Sequence, residues 1–347
     1  MTETYKYIED EDNDPELWDI FSAQSFPEQK WKIKNIIPDS GQVIIAGTSG
    51  DGKSWLALEI ARALVLGKPL LDEASFESEK ARVLYINQEM AKSELYRRGK
   101  LLGFEGNFGR LLVLNRNELN LNDDENATWL IDLVKNKGIS VVIIDTFRAV
   151  AGNLKDDKAE EISPFFNRFK ILKEIGVAII WLDHTRKPEK FDGKIPKKEQ
   201  LFGSQYKLGA VEILLMLKPT EVKGELMVYQ LKNRLGLEIE PFRISYADTT
   251  GEDNQKRVIF SYLGQVIAEE AKKDQARDLI MRVLTEEGKT RRELINIVLN
   301  EIRVGEKNTS DAIRELEREA KVHMEKKGRE NYYTLPLRGN DDNFFIN

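Results

Sequence analysis

The sequence predicts an α/β protein: a mostly parallel, twisted sheet with an antiparallel extension, then a small C-terminal module of helices and a ribbon. Three observations carry this. Up to about residue 184, strand-like runs that are apolar at nearly every position alternate with amphipathic helices, the pattern of a parallel sheet covered on both faces. A glycine-rich octapeptide, Gly47-Thr48-Ser49-Gly50-Asp51-Gly52-Lys53-Ser54, lies between the first such strand and the first helix. From 211 onward, strand-like runs follow one another through short turns, as in an antiparallel meander.

The elements follow in chain order. Residues 1–24 are acidic at the start, with Glu3, Glu9, Asp10, Glu11, Asp12, Asp14, Glu16 and Asp19 against Lys6 alone, and read as a disordered tail. Residues 20–40 form a lead-in, with Trp31, Ile33, Ile36 and Ile37 available to pack and Pro38 starting a turn. A strand over 42–46 runs into the glycine-rich loop, and apolar spacing predicts a helix over 53–66, ended by Gly67. Strands are predicted over 82–87, 111–114, 140–144 and 177–182, with helices over 127–137 and about 160–175. The later strands fall at 211–217, 225–231, 242–247 and 257–262. A helical stretch from about Gln265 carries past Ala276 into this module, where helices at 276–286, 290–300 and 308–320, then a ribbon around Lys327-Gly328, give the winged-helix pattern, a helix-turn-helix variant.

Composition narrows the function classes. The 347 residues are 41% hydrophobic and 32% charged, as in a globular protein with a charged surface. The net charge of −6 is held by the acidic start, so the rest is close to neutral and a local basic surface stays available. With no cysteine, disulfides and thiolate metal centres are excluded; with only His184 and His323 a histidine metal centre is not expected, and a reducing cytoplasm is the expected setting. No apolar run is long enough to span a membrane, and the acidic start is not a secretory signal.

The octapeptide is the strongest chemical signal. Its glycines let backbone N–H groups turn inward around a β-phosphate, at a helix N-terminus that already favours anions. Lys53 would neutralise β- and γ-phosphates, the Ser54 hydroxyl would ligate Mg²⁺, and Trp55 completes the nucleotide-binding stretch; ATP and Mg²⁺ are the expected cofactors. Asp145 follows Val141–Ile144 at the carboxyl end of a buried strand, where ligands bind in open α/β sheets, and is placed to hold a magnesium-bound water. Glu89, just past the strand at 82–87, reads either as the catalytic base or as a helix N-terminal residue favoured by the macrodipole. His184 ends the strand AIIWLDH, as a phosphate sensor or a structural histidine, with Asp183 beside it.

Two basic clusters remain. Arg186, Lys187, Lys190, Lys194, Lys197 and Lys198 outnumber Glu189 and Asp192 in a mobile loop broken by Pro188, Gly193 and Pro196, either a phosphate-backbone contact or a solvated surface. Lys232 and Arg234, one residue apart, would share one side of a strand, as arginine-finger cations in a ring or as ordinary edge charges. On the helix at 308–320, Ser310, Arg314 and Arg318 recur every four residues on one face, and Arg329 marks the wing tip.

The glycine-rich loop, INQEM, VVIIDT, the LDH strand end and KNRLG occur in the order found in RecA-like ring ATPases, and the chain resembles most the hexameric replicative helicases, including the plasmid-encoded RepA type. The resemblance covers 30–263. It implies that Glu89 is the catalytic glutamate, that Lys232 and Arg234 are the finger supplied in trans, and that His184 is the sensor; Gly203-Ser204 also matches. It further implies a homo-oligomer, a hexamer, that moves on single-stranded DNA held in a central channel, with a RecA-like ATPase domain over 25–268. The winged-helix domain over 269–338, followed by a tail at 339–347, is an addition that would take duplex DNA or a protein. The helical N-terminal domain of bacterial replicative helicases has no counterpart here. Recombinase-like or mediator ATPases, and ATP-switched DNA-binding regulators or replication-initiation adaptors, are the alternatives.

Overall fold

In the computed structural model, the described residues are 18, 22, 25, 28–104, 109–115, 118–155, 158–186, 196–201, 204–250, 255–266, 268–302, 304–328 and 330–336. The chain begins with a small hairpin, β1 (Trp31–Ile33) and β2 (Ile37–Pro38). The lead-in is therefore ordered sheet, which its short, mixed composition does not reveal.

The central sheet is built from β3 (Gly41–Gly47), β4 (Val83–Asn87), β5 (Leu111–Leu114), β6 (Val141–Asp145), β7 (Ala178–His184), β8 (Ile213–Pro219), β9 (Glu225–Asn233), β10 (Phe242–Thr250) and β11 (Lys256–Gln265). Its order is β11-β10-β9-β8-β3-β7-β6-β4-β5. From β8 to β5 every pairing is parallel, while β8-β9-β10-β11 is an antiparallel meander. The crossovers are α1 (Lys53–Leu66), α2 (Lys92–Leu101), α3 (Asp124–Lys137), the short α4 (Phe147–Val150), α5 (Ala159–Arg168), α6 (Lys170–Glu174) and α7 (Ser204–Ala210). The helix expected over about 160–175 is broken at Phe169 into α5 and α6.

Strand alternation sends apolar side chains to both faces, and two cores result. On one face α1 packs over Val43, Ile45, Tyr85, Ile143, Ile180 and Leu182. On the other, Ile44, Ile144, Ile179 and Trp181 meet α3 and α5. There Phe147, Phe165, Phe166, Phe169 and Trp181 pack ring to ring with centroids 5.3–5.9 Å apart. Trp181 Nε1 donates to Gln42 Oε1 at 3.0 Å, and Gln42 Nε2 donates to the Phe166 carbonyl at 3.1 Å, so the one polar edge of this cluster is satisfied.

Past the meander come α8 (Ala268–Glu286), β12 (Lys289–Thr290), α9 (Arg291–Ile302), α10 (Glu306–Arg318), β13 (His323–Lys327) and β14 (Glu330–Thr334). These strands form a sheet of order β12-β14-β13. A separate core holds this module together, with Ala276, Ile280, Leu294, Val298, Ile313, Leu316 and Tyr333 among its members. Its first helix, Ala268–Glu286, is continuous through 276, where the helical stretch from about Gln265 is expected to enter the module. Ser310 is buried, so the face expected to display it with Arg314 and Arg318 does not exist as one exposed surface. The reason is that α10 turns Thr309, Ser310, Ala312 and Ile313 into the module. No helix among the described residues is long and apolar enough to cross a membrane.

Candidate functional site

The site forms where the parallel strands end. β3 delivers the loop at Gly47, and α1 begins at Lys53 with Gly52 as its N-cap at φ +78°. That left-handed backbone needs glycine, and an added Cβ would also approach Leu226 Cδ1 to 3.1 Å. Within the loop, Asp51 accepts from Thr48 N at 2.5 Å and from Thr48 Oγ1 at 2.8 Å. Its carboxylate is thus occupied in shaping the loop. Lys53 is buried and donates to the carbonyls of Gly47 at 2.9 Å and Thr48 at 2.8 Å. Burial lowers its pKa, opposed by the charges of Asp51, Glu89, Asp145 and Asp183. Trp55 is half-buried against the core, with the Arg98 guanidinium 4.9 Å over its ring.

Asp145 lies on the same rim because β6 runs parallel to β4 and β7 with its last residue level with Asn87 and Leu182. It is fully buried. Tyr85 donates its hydroxyl to Oδ2 at 2.7 Å, while Oδ1 has no hydrogen-bond partner. Burial raises the carboxyl pKa; Tyr85 and the nearby Ser54 hydroxyl pull it back. An orphaned carboxyl oxygen beside the Ser54 hydroxyl fits a magnesium ion with a bound water. Ser54 and Asp145 are the residues that would hold that ion, which would supply positive charge against the nucleotide phosphates.

Glu89 reaches the rim through a local clamp. Asn87, last in β4, donates to the Met90 carbonyl at 2.7 Å and accepts from Met90 N at 3.0 Å, which turns the chain at Glu89. Gln88 N also donates to the Asp145 carbonyl at 2.8 Å. Glu89 Oε2 lies 3.9 Å from His184 Nε2, and His184 Nδ1 lies 3.4 Å from Lys53 Nζ. With Lys53 as donor, Nδ1 is the acceptor and the ring hydrogen sits on Nε2, facing Glu89. Lys53, Ser54, Glu89, Asp145 and His184 are therefore brought together, from segments far apart in sequence.

A family model described as an AAA domain matches residues 9–190. The chain belongs to the AAA domain family. This AAA/RecA-like P-loop ATPase domain takes in the loop, Glu89, Asp145 and His184; Lys232, Arg234 and the C-terminal module fall beyond the matched residues. No curated protein matches the chain.

The basic residues are distributed differently. β9 ends at Asn233, and its irregularity opposite Leu214/Leu215 falls before Lys232, so Lys232 and Arg234 keep strand alternation and lie on one side of the sheet, with different surroundings. Lys232 Nζ folds back onto the carbonyls of Leu208 and Val211, and burial, then the neighbouring Arg234, push its pKa down to about 8. Arg234 is exposed, and its guanidinium has no hydrogen-bond or ion-pair partner among the described residues. Its backbone N donates to the Glu212 carbonyl, next to Ile213, and Ile213 is level with Val43, four residues before Gly47. That offset is about 13 Å along the sheet and two strands, about 10 Å, across it. Arg234 thus lies at the rim opposite the P-loop, lining a cleft of about 540 Å³ with Gln42, Lys173, Tyr206 and Glu212.

Lys187, Lys190, Lys194 and Arg329 lie outside the described residues. Of the rest of the 186–198 segment, Arg186 is half-buried, with its N donating to the Gln200 carbonyl at 2.9 Å. Lys197 is exposed, and Lys198 pairs with Glu238 at 3.3 Å. A bridge between Thr185 and Leu201 ties the two ends of the segment together. On α10, Arg314 is exposed and donates to Asp311 at 3.0 Å. Arg318 lines a cleft of about 750 Å³ between the meander and the C-terminal module, opposite Lys218 and Arg243.

Two site features carry no sequence signal. Tyr85 looks like one more apolar strand residue, yet its hydroxyl meets Asp145. Lys207, on α7, looks like a surface lysine but is completely buried, 2.7 Å from Asp183.

Proposed function

We propose that this AAA-family ATPase is a DNA-dependent oligomeric motor, a hexameric replicative helicase of the RepA kind that translocates on single-stranded DNA. Each active site would lie between subunits. Lys53 and Ser54 hold the phosphates and Mg²⁺, Asp145 positions the metal's water, and Glu89 polarises the attacking water, all from one subunit. The neighbour supplies Arg234, with Lys232 bracing the strand end from which it projects. The single observation that supports this reading is the unpartnered Arg234 guanidinium at the rim away from its own P-loop. Such a cation meets a γ-phosphate only in another copy. Segment 186–198, starting directly after His184, is the proposed DNA contact in the channel. The C-terminal module, proposed to be a winged helix over 269–338, would recruit duplex DNA or a protein. The protein would then work in the cytoplasm.

ATP hydrolysis with and without single-stranded DNA tests this, using wild type, Lys53→Ala and Arg234→Ala. DNA should stimulate wild type, each variant should be inactive, and a mixture of the two should recover part of the rate by pairing intact loops with intact fingers. Full activity in Arg234→Ala alone sinks the shared site. Strand displacement on a forked substrate then separates a helicase from a recombinase- or mediator-like ATPase.

A further inference from the structure

A line of contacts passes through the sheet to the phosphate site. In β7, residues 180, 182 and 184 face α1, while 179, 181 and 183 face the aromatic core. Asp183 and His184 are therefore adjacent in sequence but on opposite faces. Asp183 is buried on the far side, where Oδ2 accepts from Lys207 Nζ at 2.7 Å. Its other oxygen, Oδ1, accepts from the His184 backbone N at 2.8 Å. On the near side the His184 ring touches Lys53 and faces Glu89. Lys207 Nζ also stands 4.1 Å over the ring of Phe147, two residues beyond Asp145.

We propose that Lys207 is a positioning residue for hydrolysis, acting through Asp183 to hold His184 against Lys53 and Glu89. The inference rests on the reading of His184 as the phosphate sensor. A buried carboxyl that accepts from a main-chain N–H is held in place by a paired, hydrogen-bonded cation, and Lys207 supplies one to Asp183. Stability alone does not call for such a pair, since apolar side chains of similar volume fill buried space as well. What apolar groups cannot supply is the acceptor that fixes the His184 backbone. Lys207 sits on α7, and the bridge between Thr185 and Leu201 ties the residue after His184 to the stretch of chain that precedes that helix. The Lys207–Asp183 pair thus links α7 to the strand end that carries His184, and a shift of α7 would reach the sensor through it.

The test uses the full chain. Lys207→Met alone strands a buried carboxylate and can fail to fold, so the decisive variant is Lys207→Met/Asp183→Leu, with His184→Ala and the triple variant as controls. The double variant should melt at or above the wild-type temperature, yet kcat for ATP should fall about tenfold while KM stays within about twofold. Amide exchange at His184 should speed up, a readout independent of hydrolysis. In the His184→Ala background the same pair of changes should cost nothing more. A folded double variant with wild-type kcat and unchanged exchange overturns the proposal, as does an equal further loss without the imidazole. A His184→Ala protein that hydrolyses normally is a different failure: it removes the sensor reading itself.

Discussion

Asp145→Asn should make the protein more stable while abolishing hydrolysis. The wild-type carboxyl is fully buried, one of its oxygens has no partner, and the Tyr85 hydroxyl bonds the other. Leaving a charged group buried and partly unsatisfied costs on the order of 2 kcal/mol. Asparagine keeps an acceptor for the Tyr85 hydroxyl and carries no charge. At about 2 °C per kcal/mol for a domain of this size, the variant should melt roughly 4 °C higher without nucleotide at pH 7.5. The pH dependence follows from the direction of the shift. Burial raises the folded-state pKa above the unfolded value, so in the window between them the folded state binds more protons. Wild type therefore gains stability as pH falls through that window, and the gap to the asparagine variant closes. Thermal melts of both proteins from about pH 4, near the unfolded carboxyl value, up to about pH 8 measure this. A variant that melts lower at pH 7.5, or a gap that ignores pH, refutes the reasoning.

Other outcomes follow from the same geometry. Gly52→Ala forces a side chain into left-handed backbone against Leu226, and should cost about 1–2 kcal/mol in urea unfolding and weaken binding of a fluorescent ATP analogue. Phe166→Ala empties the centre of the aromatic cluster and should cost about 4 kcal/mol by the same assay. Lys232 has a folded-state pKa of about 8, below that of an unfolded lysine, so the unfolded state binds more protons above that pH. Urea midpoints taken from pH 7.5 to 9.5 should show wild type gaining stability as pH rises, a gain that Lys232→Arg, charged throughout, should lack.

The parallel core, its antiparallel extension and the phosphate rim were legible along the chain because their signals are local. Apolar runs at 83–87 and 141–144, the glycines of the loop, and acidic residues placed just after strand ends follow from what a strand or helix demands of its own residues. The placement of Glu89, Asp145 and His184 beside Lys53 needed one more rule, that parallel strands present their ends on one edge. Contacts set by sheet order and by the packing of remote segments were not legible. Nothing near Tyr85 announces a partner 60 residues away, nothing near Lys207 marks it as buried, and the pattern on α10 does not say that Ser310 turns inward. Lys232 and Arg234 show the division best. Their identities are plain in the sequence, but the carbonyls of Leu208 and Val211 that engage Lys232, and the strand order that sets Arg234 at the far rim, exist only once the sheet is assembled. Periodicity is a property of the chain's own backbone geometry, whereas a charge's partner depends on which distant strand lies beside it.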